Sequence, residues 1–147
     1  MTSTKPPLVY AVTGETSPGG EAAISARTSR IVFDGSAQSG DILPSPADLL
    51  CAALSACILK NVERFSHLLP FRYTAASIRV EADREEPPPR IVRMRYVLRV
   101  VTDEPAHRVE LLHTNLLKFG TITNTLKAAC ELHGEIVAEP SASTSTP

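Results

Sequence analysis

The sequence predicts an α+β protein in which antiparallel strands pack around one long central helix. Three observations carry that expectation. Residues 46 to about 69 form a mostly apolar run with helical spacing that ends at a proline. Two later runs, ASIRVEADR and IVRMRYVLRVV, alternate apolar and polar residues with the period of a half-covered strand. Strands cluster before the long helix and helices cluster after the hairpin, rather than alternating one with the other, which is the α+β pattern.

From the N-terminus, LVYAVTGE is expected as a strand, TSPGG as a turn, EAAISA as a second strand and RIVFDG as a third. A polar connection, GSAQSGDILPS, leads to the long helix. Ser45 suits its N-cap, Pro46 its first turn, and Asp48 stands three residues after the cap, where a carboxylate can return the hydrogen bond. Leu49, Leu50, Ala52, Ala53, Leu54, Ala56 and Ile58 make the first half apolar almost all round, as in a helix enclosed by other elements. Lys60, Glu63 and Arg64 turn the second half amphipathic, and Pro70 ends it.

The alternating pair follows. Ala76, Ile78, Val80 and Ala82 face one way on the first strand, and Val92, Met94, Tyr96, Leu98 and Val100 on the second. REEPPPR joins them as a rigid connector, so the pair reads as an antiparallel hairpin with one covered face. Glu81 and Asp83 then lie opposite the stripe of Arg93, Arg95 and Arg99, a pattern of cross-strand charge pairing on a solvated face. Asp103 and Pro105 open a helix carrying Val109, Leu112, Leu116 and Phe119, which Gly120 interrupts. TNTLKAACELHG is expected as a shorter helix closed by Gly134, and EIVAE as the last strand.

A length of 147 residues, 43% hydrophobic and 21% charged, fits one globular domain, expected over 8–138. Residues 1–7 and 139–147, rich in Ser, Thr and Pro, are expected as flexible termini. A net charge of −1 and the lack of tryptophan argue against nucleic acid as a partner, and against an acidic membrane surface. No run approaches 18 apolar residues and the start lacks a signal-peptide core, so a cytoplasmic location is expected. The three cysteines make no disulfide framework, and Cys51 and Cys57 lie about 9 Å apart along one helix, too far to bridge. Reduced thiols are expected.

Most routes to chemistry are closed. The chain has no glycine-rich phosphate loop and no GxSxG elbow. Its histidines are scattered at 67, 107, 113 and 133, and Cys130 with His133 on one helix face falls short of the four ligands a zinc site needs. No metal and no cofactor is expected. Cys57 remains, near the middle of the apolar helix. Composition alone makes such a thiol a small core residue, since a nucleophilic thiolate needs a positive group or a helix N-terminus beside it.

The stretches PSPADLLCAALSAC and FGTITNTLKAA resemble the OsmC/Ohr family of osmotically inducible and organic-hydroperoxide-resistance proteins. The matching residues are Pro46, Asp48, Leu49, Leu50, Ala52, Ala53, Ala56 and Cys57 in the first block, and Asn124, Thr125 and Leu126 in the second. The resemblance implies an OsmC-like fold and an intertwined homodimer. It also implies a thiol peroxidase acting in oxidative stress defence: Cys57 would attack an organic hydroperoxide, with an arginine and the acid at Asp48 activating it. The family's second block begins Cys-Pro, where this chain has Gly120 and Thr121, so the second, resolving thiol is missing there. Residues 8 to 26 contain no basic side chain where that family's peroxidases carry the arginine, and Arg27 and Arg30 are the nearest candidates. Ala47 follows Pro46 where the hydroperoxide-resistance branch has glutamate.

Two readings follow. In one, Cys57 is the single reactive cysteine of a peroxidase that uses Asp48 with Arg27 or Arg30 and is reset by an external thiol reductant. In the other, the dimer is non-catalytic and binds a small hydrophobic ligand, with Cys57 structural or redox-sensing.

Overall fold

A computed structural model describes residues 4–38 and 40–142. The segments 1–3 and 143–147, parts of the expected flexible termini, lie outside the described residues. The chain divides into two compact units, Met1–Leu49 and Leu50–Pro147.

The first unit is a three-stranded antiparallel sheet in the order β1 (Thr13–Thr16), β2 (Glu21–Ala26), β3 (Ser29–Asp34). Gly19 and Gly20, at φ of 100° and 89°, make the β1–β2 turn in a conformation other residues resist. The first strand is shorter than expected. Leu8 to Val12 are exposed, and the strand forms only from Thr13, where Ser25 pairs with it. After β3, the Asp34 carboxylate accepts hydrogen bonds from the Ser36 and Gly40 amides, 3.0 and 2.9 Å away, and so folds the connection toward the helix.

Helix α1 (Pro46–Leu68) begins in this unit and runs through the second. Its start is a capping box: the Ser45 hydroxyl accepts from the Asp48 amide at 3.2 Å, and the Asp48 carboxylate accepts from the Ser45 amide at 2.8 Å. Leu54, Ile58, Val62 and Phe65 form its buried stripe. The expectation of a helix enclosed on all sides needs correction for the single chain. Ala52 and Ala56 are exposed, so that side of the helix departs from the expectation.

The second unit contains the sheet β4 (Ala75–Glu85), β5 (Arg90–Val101), β6 (Glu131–Glu139), with α2 (Ala106–Phe119) and α3 (Thr121–Ala129) between β5 and β6. The β4–β5 hairpin forms as its alternation dictates, with Val80 opposite Tyr96 and Ala82 opposite Met94. One face supplies Met94, Tyr96, Leu98 and Val100 to the core, where the α1 stripe, Val109, Leu112, Leu116 and Leu126 meet them. On the other face Arg93 and Arg95 each hold Asp83, at 3.1 and 2.9 Å, and Arg95 holds Glu81 at 2.8 Å. Arg99 departs from the expected pairing and reaches Glu139 of β6, 3.1 Å away.

Two expectations fail at the C-terminal end. β6 runs parallel to β5, so this sheet is mixed and not wholly antiparallel. The α2–α3 pair supplies the long crossover that a parallel neighbour requires. The last helix also stops at Ala129, five residues before Gly134. Beyond it ELHGEIV alternates with period two: Leu132 and Ile136 pack on the core while Glu131, His133 and Glu135 face solvent. Cys130 and His133 therefore share no helix face. Gly134 is a strand residue whose missing side chain is replaced by the Tyr96 ring, which any Cβ there would strike.

Candidate functional site

Cys57 lies in the middle of α1, half-buried, and its sulfur faces the start of α3. Gly120 ends α2 and begins α3 with extended backbone, φ −73° and ψ 123°. It comes so close that a Cβ placed on it would lie 3.2 Å from the Cys57 sulfur. The same Cβ would meet the Thr123 hydroxyl at 2.7 Å, so this joint is packed backbone to side chain.

Among the described residues, two groups make polar contact with the sulfur. The Thr123 hydroxyl is 4.0 Å from it and the Asn61 Nδ2 donates to it over 3.7 Å. Helix geometry places each of them. Asn61 stands one turn after Cys57, and its amide is held in place by donating to the Cys57 carbonyl at 2.9 Å. Thr123, in the first turn of α3, is 1% exposed. A hydroxyl so buried needs a partner, and the cysteine sulfur is the one the geometry supplies. Sequence reasoning missed both neighbours. The i, i+4 relation of Asn61 to Cys57 is visible in the sequence, but the approach of Thr123 depends on tertiary packing.

Asp48 shares α1 with Cys57 but is about 13 Å away along its axis. Its carboxylate is held below the usual range by the Ser45 amide first and the Ser45 hydroxyl second. Arg27 and Arg30 belong to the first unit. Arg27 occupies the β2–β3 turn at φ 55°, and Arg30 pairs with Glu15 at 3.7 Å. Cys130, at the end of α3, donates its thiol to the Leu126 carbonyl over 3.5 Å.

A second partly buried polar pair lies between β5 and α2. The Tyr96 hydroxyl and His113 Nε2 share a 2.7 Å hydrogen bond. Burial pushes the phenol up to about 12 and holds the imidazole below its ordinary value. A cavity of about 530 Å³ opens on the charged face of the second sheet, lined by Arg79, Glu81, Arg95 and His133 among others. Both arginines there are paired with Glu81, so it reads as a groove in a solvated ionic face.

Fold and site together define an α+β protein with a thiol at mid-helix, set against the joint between two further helices. The model of the OsmC-like protein family matches residues 38–133, and the chain belongs to that family. The OsmC-like protein of Mycoplasma pneumoniae superposes with a TM-score of 0.78 at 13% identity, over 96% of this chain and all of that one (100%). An organic hydroperoxide resistance protein from Legionella pneumophila superposes with a TM-score of 0.71 at 11% identity, covering 88% of this chain and 98% of its own. One from Elizabethkingia anophelis gives 0.71 at 10% identity, covering 90% and 99%. These likenesses establish the fold. No curated protein sequence matches the chain. Among the described residues, no helix is long and apolar enough to cross a membrane.

Proposed function

We propose that this protein is a homodimeric, one-cysteine reductase of organic hydroperoxides, acting in oxidative stress defence. The observation that carries the reading is Cys57 itself, at the mid-helix position and half-buried, with hydrogen-bonding groups rather than aliphatic ones alone around its sulfur. Family membership and the hydroperoxide-resistance proteins among the structural neighbours support it.

The thiolate of Cys57 attacks the distal oxygen of R–O–O–H. The O–O bond breaks, the alkoxide leaves and takes a proton to become the alcohol, and the sulfur is oxidised to a sulfenic acid. With Gly120 where the family keeps its second cysteine, an external thiol condenses with that sulfenic acid and releases water. A second external thiol then frees Cys57 and leaves as the disulfide. Arg27 or Arg30 supplies positive charge, and Asp48 helps to orient that arginine.

The dimer is part of the proposal. Leu8, Val9 and Ile42 are 81%, 85% and 94% exposed, and the first unit buries only Ala22 and Ala23 among its described apolar residues. Such a surface calls for a cover, and a second copy provides it. The test is consumption of cumene hydroperoxide with dithiothreitol as reductant. Turnover that is lost in Cys57→Ser supports the reading, and equal consumption by both proteins overturns it.

A further inference from the structure

We propose that Asn61 and Thr123 form a neutral hydrogen-bond clamp that holds the Cys57 sulfur as thiolate and sets its reactivity. The inference deepens the peroxidase reading, on which it rests, by assigning two further residues to that site. Three geometric facts support it. The Asn61 amide carries two hydrogens: one is fixed on the Cys57 carbonyl at 2.9 Å, which aims the other at the sulfur 3.7 Å away. The Thr123 hydroxyl approaches the same sulfur at 4.0 Å from a different helix. Gly120, lacking a side chain, lets that helix come close, since its own Cβ would push on both Thr123 and Cys57.

The two groups respond differently to ionisation. Asn61 can only donate to sulfur through Nδ2, in either state. The Thr123 hydroxyl is a rotor that accepts from the thiol S–H and turns to donate once the proton has left. The thiolate therefore gains a second donor as it forms, in a half-buried site. Hydrogen bonds to a charged acceptor are the stronger kind, so the clamp favours the nucleophilic form. It acts whether or not an arginine also contributes, because neither donor is charged.

The test reads the thiolate without using a peroxide, so its failure and that of the peroxidase reading are distinguishable. In the full-length protein, alkylation of Cys57 by iodoacetamide is followed by peptide mass spectrometry, with Cys130 in the same molecule as the internal reference. Asn61→Leu and Thr123→Val keep the branched heavy-atom skeleton and remove a donor, and each is expected to slow Cys57 relative to Cys130 by about fivefold. Thr123→Ser keeps the hydroxyl and is expected to restore the rate. Thiolate absorbance at about 240 nm, which does not depend on reagent access, is expected to fall and recover in the same order. Unchanged rates and absorbance in Asn61→Leu and Thr123→Val overturn the clamp. So does a Thr123→Ser protein as slow as Thr123→Val, which would make packing rather than the hydroxyl responsible.

Discussion

Gly120 stands against Cys57 so closely that a Cβ added to it would be 3.2 Å from the sulfur. In a disulfide, the Cβ of one cysteine lies about 3 Å from the sulfur of the other, given an S–S length of about 2.05 Å. The spacing a resolving cysteine needs is thus present at a position that carries no thiol. Gly120→Cys, combined with Thr123→Ala to remove the hydroxyl that would stand 2.7 Å from the new Cβ, is expected to bridge the introduced thiol to Cys57 on mild oxidation. Non-reducing peptide mapping should find that disulfide, with an intact mass lower by about 2 Da. Free thiols at both positions after oxidation would contradict the placement.

Tyr96 occupies the space where Gly134 lacks a side chain. Gly134→Ala is therefore expected to push the ring out of a packed core and to destabilise the protein by about 1–3 kcal/mol. Urea unfolding checks it. A midpoint like that of wild type would show that the ring has room the structure does not give it.

The Tyr96–His113 pair predicts a stability profile with two falling limbs. Below the ordinary imidazole value of 6.5 the unfolded chain takes up a proton that half-buried His113 resists. Stability is therefore lost as pH falls from that point through the lowered folded value. Above 10 the unfolded phenol gives up a proton that Tyr96 keeps until about 12, so stability falls again across that interval. Urea midpoints across pH for wild type, His113→Gln and Tyr96→Phe check this. The first variant should soften the acid limb and the second the alkaline limb. Profiles that superimpose on wild type would contradict the assignment.

Ser45 and Asp48 close the start of α1 reciprocally. Ser45→Ala is expected to cost about 1 kcal/mol of stability. Comparing it with Asp48→Asn separates the two roles given to Asp48. If both variants lose stability and keep peroxide consumption, Asp48 is a cap alone; if only Asp48→Asn also loses consumption, the carboxylate serves the arginine as well.

Much of this fold is legible in the sequence because its periods are clean. The capping box, Pro70, the β4–β5 alternation and Gly120 as a helix boundary all follow from local chemistry, and the structure has them where the residues place them. The end of α3 is easily misread, because Ala128 and Ala129 are strong helix formers that carry the helical pattern up to Cys130, and Gly134 imitates a C-cap. The signal for a strand is the alternation of Leu132, Gly134 and Ile136, which the glycine masks, since its inward position is filled by Tyr96 from the neighbouring strand. At the site, resemblance picks out Cys57. Nothing in the sequence picks out Thr123, because its relation to the sulfur spans 66 residues and exists only once α3 has docked.

The measurement closest to the central claim is the intact mass of the protein after one equivalent of cumene hydroperoxide. Wild type should gain about 16 Da, one oxygen, with peptide mapping placing it on Cys57. Cys57→Ser should gain nothing. A wild-type protein whose Cys57 stays unmodified, or one oxidised instead at Cys51 or Cys130, would contradict the account.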